Sequence, residues 1–405
     1  MNPVAAKGIK FVGHSDMNGF GDGVQVMVHR GFAYVGHGYS NGITTLDVRD
    51  PKKPKVVDFI ACAPGTRALH LQTHEDLLLA VNTTSVWTLQ ALSEKDYFGG
   101  SPADRLKGIQ FTAGIRVYDI SKPEKPREIG FMPTDGMGPH RIWYVGGKYA
   151  YASIHFADFT DHVLAVIDLS NPQKPQVVGK CWIPGMWRAG GETPSWAAGK
   201  RYALHHALVD GDIAYGAWRD GGLTVIDLAD KARPKILAHR TPQPGGGGTH
   251  SPLPLPDRKL LVLADEPTFA NCSQGRRHIW TYDIGKPSDP KVIAPFPEPS
   301  EADFCAKGGF FGPHNLHENR PGALQSSKLI FSTYYNAGVR AFDIQDPAKP
   351  REVAYYVPPN PEKMVDPRPN RPKVLQSGDC YVDRNGLMYL TDQNVGLNIL
   401  QFEGL

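Results

Sequence analysis

Cysteine is scarce in this chain. Five occur in 405 residues (Cys62, Cys181, Cys272, Cys305 and Cys380), odd in number and scattered, with no Cys-x-x-Cys pair. That pattern argues against a disulfide framework or a structural zinc site and fits a reducing cytoplasm. An excess of one charge is missing too: 44 Lys and Arg stand against 41 Asp and Glu, a formal net charge of +3. Without a dense basic block, neither nucleic acid nor an anionic membrane is expected as a partner. No apolar run reaches the length of a membrane span. The first residues, MNPVAAKGIKFVGHSD, lack the apolar centre of a secretory signal, which leaves open a chain already trimmed to a mature form. No Gly-x-Ser-x-Gly elbow, phosphate-binding glycine loop or Ser-His-Asp arrangement is evident. GFGDG near the start is too short, and too embedded in strand-like sequence, to bind a dinucleotide. Sustained helical periodicity is also absent.

What is present is a repeat. Six segments share one plan: ITTLDVRDPKKPKVVDFI, IRVYDISKPEKPREIGFM, VLAVIDLSNPQKPQVVGK, LTVIDLADKARPKILAHR, IWTYDIGKPSDPKVIAPF and VRAFDIQDPAKPREVAYY. In each, an apolar strand closes on Asp, a turn rich in proline or charge follows, and a second short strand completes the unit. The Asp can accept backbone N–H bonds in the turn, and proline there cannot extend a ladder. Hairpins such as HRIWYVGGKYAYASIH and HHALVDGDIAYGAW precede most of these pairs. Four strands per unit, recurring every 50 to 70 residues or roughly so, read as propeller blades.

A seventh hairpin, GDCYVDRNGLMYLTDQ, is followed by LNILQF, and the chain ends before a fourth strand. The N-terminal GIKFVGHSD has the character of that missing strand. The expected fold is therefore all-β: one seven-bladed β-propeller domain over residues 1–405, closed by the N-terminal strand completing the last blade, with no exposed edge. Lid-like insertions are expected near 83–113, 184–201 and 267–278. Their aromatics (Trp87, Phe98, Trp187, Trp196, Phe269) are candidates to close over a substrate. The proline-rich VPPNPEKMVDPRPNRPKVLQ reads as a linker between blades.

These repeats, LAVIDLSNPQKPQVVG and LTVIDL with their four relatives, resemble the LVIVD-repeat family of β-propellers over nearly the whole chain. The resemblance implies the fold. It does not imply one activity, since propellers host many. The DISKPEKP turn is also similar to that of the selenium-binding protein and methanethiol oxidase propellers, a distant likeness that rests on the repeat turn. It implies an association with copper.

First-strand residues of every blade converge on one central funnel. Five successive blades put histidine there: His70, His140, His205 or His206, His250 and His314. Neutral imidazole is a common metal ligand, and an imidazole-rich set suits a transition metal, iron or copper ahead of zinc or manganese. The expected ligands are His70, His140, His250 and His314. Strand alternation lets only one of His205 and His206 face the axis, and which one stays open. His29, His162, His239 and His278 read as solvated. For each ring the plain alternative is a hydrogen bond to a neighbouring blade.

The stretch PQPGGGGTHSPLPLP lets the backbone turn inward just before His250. Asp265 and Glu266 share that rim, either orienting a histidine or moving protons. With Tyr334 and the His205–His206 pair they are the catalytic candidates. Arg67, Arg141, Arg219 and Trp187 are the substrate-binding candidates, the arginines as bidentate partners of a carboxylate.

The function expected is a metal-dependent enzyme, leaning to an oxidoreductase, acting on a small organic substrate that bears a carboxylate if the arginines grip it. A metal-assisted lyase or hydrolase and a non-catalytic interaction scaffold are the alternatives. Partners other than a small molecule are not expected, and the oligomeric state stays open.

Overall fold

The computed structural model describes residues 2–85, 106, 108–244 and 246–405, so most of the first insertion, including Trp87 and Phe98, and Gly245 lie outside the described residues. Apart from two three-residue 3-10 turns, the regular structure described is all strand. Every pairing of strands is antiparallel, and most units are meanders.

The first unit pairs Gly23–His29, Phe32–His37, Gly42–Asp47 and Lys55–Ala61 in sequence order. The second has a broken inner strand, Thr66–Arg67 and then Leu71–His74, beside Leu77–Thr84, Ala113–Asp119 and Arg127–Thr134. Gly138–Trp143 opens the third and Tyr202–Asp210 the fourth. Thr249–Leu255 opens the fifth, which touches the fourth through the single pair Arg219–Thr249. The sixth takes residues 314–317 as an irregular inner segment bonded to Leu329–Thr333. The last unit starts at Ser377–Val382.

The ring closes as the repeat implies. Ile9–Ser15 pairs with Gly396–Phe402 as the fourth strand of the last unit. Ala5–Lys7 adds a further outer strand to the sixth unit, against Arg351–Val357. Closure is tight. A Cβ on Gly13, in the closing strand, would meet the Pro51 carbonyl of the first unit at 2.1 Å. The same contact recurs at Gly179 in the third unit, against the Lys231 carbonyl of the fourth, at 2.0 Å.

The repeated Asp does the expected work. In all six segments (Asp47, Asp119, Asp168, Asp227, Asp283 and Asp343) its carboxylate accepts the backbone N–H two residues on. This Asx geometry satisfies the turn and frees the chain to reverse. Between the units, apolar second and third strands are almost wholly buried, as at Tyr149–His155 and Val163–Asp168.

A second periodicity was not legible beforehand. The inner strands break register at one level: between Gly23 and Gln25, Pro139 and Arg141, Tyr202 and His206, Thr249 and Ser251, and Ser377 and Cys380. A bulge leaves its extra residue unpaired and re-aims that side chain. His140, His205 and His250 occupy those breaks. His70 lies in the gap of the broken second-unit strand, and His314 in the irregular segment of the sixth.

Candidate functional site

The five histidines form an arc. Ring centroids are 5.1 Å apart for His70 and His140, 4.6 Å for His140 and His205, 3.6 Å for His205 and His250, and 4.6 Å for His250 and His314. All five line one cavity of about 120 Å3, together with Glu266 and Tyr335. Burial, reinforced by neighbouring arginines and imidazoles, holds His70, His140, His205 and His250 well below the usual histidine pKa. His314 is held down to about 4, burial outweighing the pull of Glu266. The rings are therefore neutral at pH 7, the form that ligates metals.

Hydrogen bonds fix three of the tautomers. His205 Nδ1 lies 2.9 Å from the His250 carbonyl, and His314 Nδ1 lies 2.5 Å from the Gly378 carbonyl. A carbonyl only accepts, so each Nδ1 carries the proton and each Nε2 keeps its lone pair. His250 Nδ1 is 2.8 Å from Ser251 Oγ, and that hydroxyl donates onward to the His314 carbonyl. His250 is therefore the donor in its own bond, and its Nε2 is likewise a lone pair. His250 Nε2 lies 3.4 Å from Glu266 Oε2, and His314 Nε2 lies 3.7 Å from Glu266 Oε1. One ligand atom each from His205, His250 and Glu266 all fall within 4.8 Å of one another. Two other buried nitrogens, His70 Nδ1 and His140 Nε2, have no hydrogen-bond partner among the described residues.

Two further side chains hold Glu266. Arg219 donates to its Oε2, and the Tyr335 hydroxyl donates to Oε1 at 2.5 Å. Burial opposes its ionisation, but Arg219, His314 and Tyr335 outweigh burial and keep its pKa below the ordinary value. Burial, followed by Glu266 itself, pushes the Tyr335 phenol far up, so it stays protonated. Arg219 and Tyr335 occupy matching turns in the fourth and sixth units, where both adopt left-handed backbone (φ 52° and 47°). Such strain in non-glycine residues gathers at functional sites, and here it turns both side chains inward onto Glu266.

The end of the glycine run forms a strap against Glu266. Gly248 has φ +72°, and a Cβ there would meet the Glu266 carbonyl at 2.3 Å. The Glu266 N–H donates to the Gly248 carbonyl at 2.9 Å. The chain thus passes against the backbone of Glu266 with no room for a side chain.

Several expected site residues stand elsewhere. Asp265 is buried but turned away, accepting from Thr249 at 2.9 Å and Trp280 at 3.1 Å; burial pushes its pKa up to about 6. Strand alternation explains the opposite facings of Asp265 and Glu266. Tyr334 is 1% exposed and packs on Phe311 and Phe342, because the left-handed residue after it gives the inward position to Tyr335. Arg141 is buried against Asn315, with Asp379 and Glu318 balancing its charge. Trp187 is 39% exposed beside Trp182, and Trp196 stacks on Tyr202; neither lines the cavity. Arg67 and Arg219 do line it.

His205 and His206 both point inward, because the register break at Tyr202–His206 cancels the alternation expected there. His206 Nε2 is 3.1 Å from Glu318 Oε1, while Gln72 donates to Glu318 Oε2 at 2.9 Å. These residues come from the second, fourth and sixth units, which are not neighbours, so the cluster ties strands together across the axis. His162, read as solvated, is buried, 2.6 Å from Asp161. Tyr39, Phe310 and Arg368, none of them an expected site residue, also line the cavity. Arg368 sits in the supposed linker, where its proline neighbours masked it.

One finding bears on the cysteines. Cys272 and Cys305 form a disulfide, while Cys62, Cys181 and Cys380 are free. The bond ties the loop after Glu266 to the segment that carries Phe310. Disulfides persist in oxidising compartments, so cysteine usage no longer argues for the cytoplasm. Among the described residues, no helix is long and apolar enough to cross a membrane.

Comparisons with known proteins agree on the fold. The LVIVD repeat profile matches residues 141–182 and 207–239. No curated protein matches the chain. Among solved structures, Saccharomyces cerevisiae Sqt1 superposes with a TM-score of 0.55 at 9% identity, covering 97% of this chain and 98% of its own. The β-propeller domain of Myceliophteria thermophila Cps50 (Swd1) gives 0.54 at 10% identity, over 94% and 97%. A putative 6-phosphogluconolactonase from Bacteroides fragilis gives 0.51 at 12%, over 96% and 93%. At these identities the likeness establishes the β-propeller fold and nothing about activity.

Proposed function

We propose that the protein is a metal-dependent oxidoreductase acting on a small organic substrate in the histidine-lined cavity. The observation that carries this reading is the set of three imidazoles whose protonated Nδ1 atoms are tied to the protein, with the Nε2 atoms of His250 and His314 turned to Glu266 and His205 in one cluster with His250 and Glu266. An outer partner on the far nitrogen of each ring is the usual support of a metal-bound histidine.

The residues fit a metal on chemical grounds. The buried, unpartnered nitrogens of His70 and His140 point to a missing partner at the same arc, and all five rings are neutral. His205, His250 and Glu266 would hold the ion. Two imidazoles and one carboxylate, with further positions open, are the donor set of non-haem iron(II) oxygenases. Iron is therefore the preferred ion. Bound there, it would supply one-electron chemistry toward oxygen or substrate. The chain's own residues do the rest. Arg219 and Tyr335 fix the carboxylate of Glu266. The Tyr335 phenol, kept protonated, holds its hydrogen bond to Glu266 Oε1.

The test is elemental mass spectrometry on the protein as purified and after anaerobic reconstitution, with His205→Ala, His250→Ala and Glu266→Gln alongside. About one equivalent of iron, lost in the variants, is expected from this donor set. Zinc or manganese bound in preference would move the reading to a metal-assisted lyase or hydrolase. No metal under any condition would refute it.

A further inference from the structure

We propose that the Cys272–Cys305 disulfide is a redox latch: its reduction by a dithiol frees the loop tip over residues 268–275 and opens a side pocket that adjoins the histidine cavity. The proposal rests on how the loop is held and does not depend on a bound metal.

Three observations carry it. First, the two cysteines join parts that are held unequally. Cys305 lies in a segment anchored to its own side of the ring. Asn336 Nδ2 donates to the Phe304 and Gly308 carbonyls, each at 2.8 Å, and the Phe310 N–H donates to Gln376 Oε1 at 2.9 Å. Cys272 lies at the tip of a loop anchored at its two ends. Pro267 is buried and packs toward Gly312, while Arg276 and His278 meet Glu298 at 2.5 Å and 3.2 Å. Between the tip and the Cys305 segment run the disulfide and, beside it, the hydrogen bond from the Asn271 N–H to the Gly309 carbonyl at 2.9 Å. Cutting the S–S bond leaves both ends of the loop fixed and removes the covalent tie on its tip.

Second, the bond is placed where it can be cut. Both cysteines are partly exposed, whereas the free Cys181 and Cys380 are buried. Asn271 and Cys272 both adopt left-handed backbone (φ 56° and 53°), which is costly for residues other than glycine. Exposed and strained disulfides are the more readily reduced ones. A dithiol attacks one sulfur as its thiolate, and its second thiol resolves the mixed disulfide. The S–S bond breaks, Cys272 and Cys305 take up two electrons and two protons between them, and the dithiol leaves as a disulfide.

Third, the tip covers a space beside the site. Thr268, Phe269 and Gln274 of this loop line a pocket of about 320 Å3 with Lys200, Gly248 and Arg219. Arg219 also lines the histidine cavity and donates to Glu266. A displaced tip takes away one wall of the pocket and widens the approach to Arg219.

The experiment is hydrogen exchange read by mass spectrometry, together with carbethoxylation by diethyl pyrocarbonate. Both are run on the protein as purified, after dithiothreitol, and as Cys272→Ser and Cys305→Ser. Reduction should speed exchange over residues 268–275 by about tenfold or more, the mark of local opening. The segment over 304–310 and the strand Val163–Asp168 should keep their rates. Carbethoxylation of the cavity residues His70 and His140 should rise several-fold, and that of His29, in the first unit, should not. Both serine variants should behave as the reduced parent, and reoxidation should reverse the change in the parent alone. A bond that dithiothreitol cuts only after the protein unfolds would overturn the proposal. So would exchange unmoved at the tip, exchange raised equally along the whole chain, or labelling of the cavity histidines unmoved while the tip exchanges. Should a serine variant fail to fold, the reduced parent decides.

Discussion

The substitution Gly248→Ala tests whether the glycine strap positions Glu266. Two costs are expected. An L-residue held at φ +72° gives up about 1–2 kcal/mol. The new Cβ would also stand 2.3 Å from the Glu266 carbonyl, against ordinary contact at 3.4 Å or more. Opening that gap moves the backbone of Glu266 by about 1 Å, an overpacking cost of about 1–3 kcal/mol. The sum is about 2–5 kcal/mol. Unfolding entropy of about 2.1 cal/mol/K per residue turns this into a Tm loss of about 2–6 °C for a chain of this length. Gly211→Ala is the control. It also has a positive φ (+55°), but nothing lies within 4 Å of its added Cβ. It should lose only the conformational part, about 1–2 kcal/mol. Calorimetry and iron content would be read on both variants. Gly248→Ala should melt below Gly211→Ala and lose iron, while Gly211→Ala keeps it. If the two variants melt together and both hold iron, the strap does not position the carboxylate and the reasoning fails.

Burial pushes the Asp379 carboxyl up to about 7, against its ordinary 3.8 and against the pull of Arg141. The folded state therefore binds the extra proton between those values, and stability falls as pH rises through that window. At about 1.4 kcal/mol per pH unit the fall is at most about 4 kcal/mol. Asp379→Asn should flatten it, so that denaturant midpoints at pH 5 and pH 8 lie closer together than in the parent; an unchanged gap would refute the assignment. Breaking the Cys272–Cys305 bond, which closes a separation of 33 residues, should cost up to about 3–4 kcal/mol in Cys272→Ser. Parent protein melted in dithiothreitol should match that variant, and a Tm unmoved in both would show that the bond adds nothing.

How much of this could be read beforehand depends on the range of the interaction responsible. The repeat was legible because its signals are local. An Asp that caps a turn two residues on, a proline that cannot extend a ladder and a period of two all act within a few residues. The closing strand was legible for the same reason: GIKFVGHSD carries the pattern of a fourth strand wherever it sits in the chain. The histidines were legible as a set, because each recurs at the same place in its own unit. The direction of each ring was not. His205 and His206 defeated the alternation rule through a bulge, and a bulge is a property of two strands in register rather than of either sequence. The exchange of Tyr334 for Tyr335 hangs on one left-handed residue in a turn, and neither tyrosine's identity reveals it. Arg368 and the Cys272–Cys305 pair were hidden for another reason. Both lie in segments without periodicity, placed by contacts with distant units, where composition reports only a loop.

The misses in ring direction share one cause, the breaks in the inner strands. Regular strands alone would send alternate inner-strand residues to the axis and would place the five histidines according to each strand's own phase. The bulges reset that phase in unit after unit, at Pro139–Arg141, Tyr202–His206 and Thr249–Ser251, so that the rings arrive at one height. A bulge gives up ladder hydrogen bonds, which the blade alone has no reason to sacrifice. Their recurrence beside neutral, tautomer-fixed imidazoles is what a site requiring several nitrogens at a common point would demand. A structural histidine needs only one partner in its own or the next unit, as His37 finds in Asp22 and Thr44. A buried nitrogen in each of His70 and His140 lacks such a partner among the described residues, beside three rings tied to the protein at Nδ1, which supports the proposed metal at the arc.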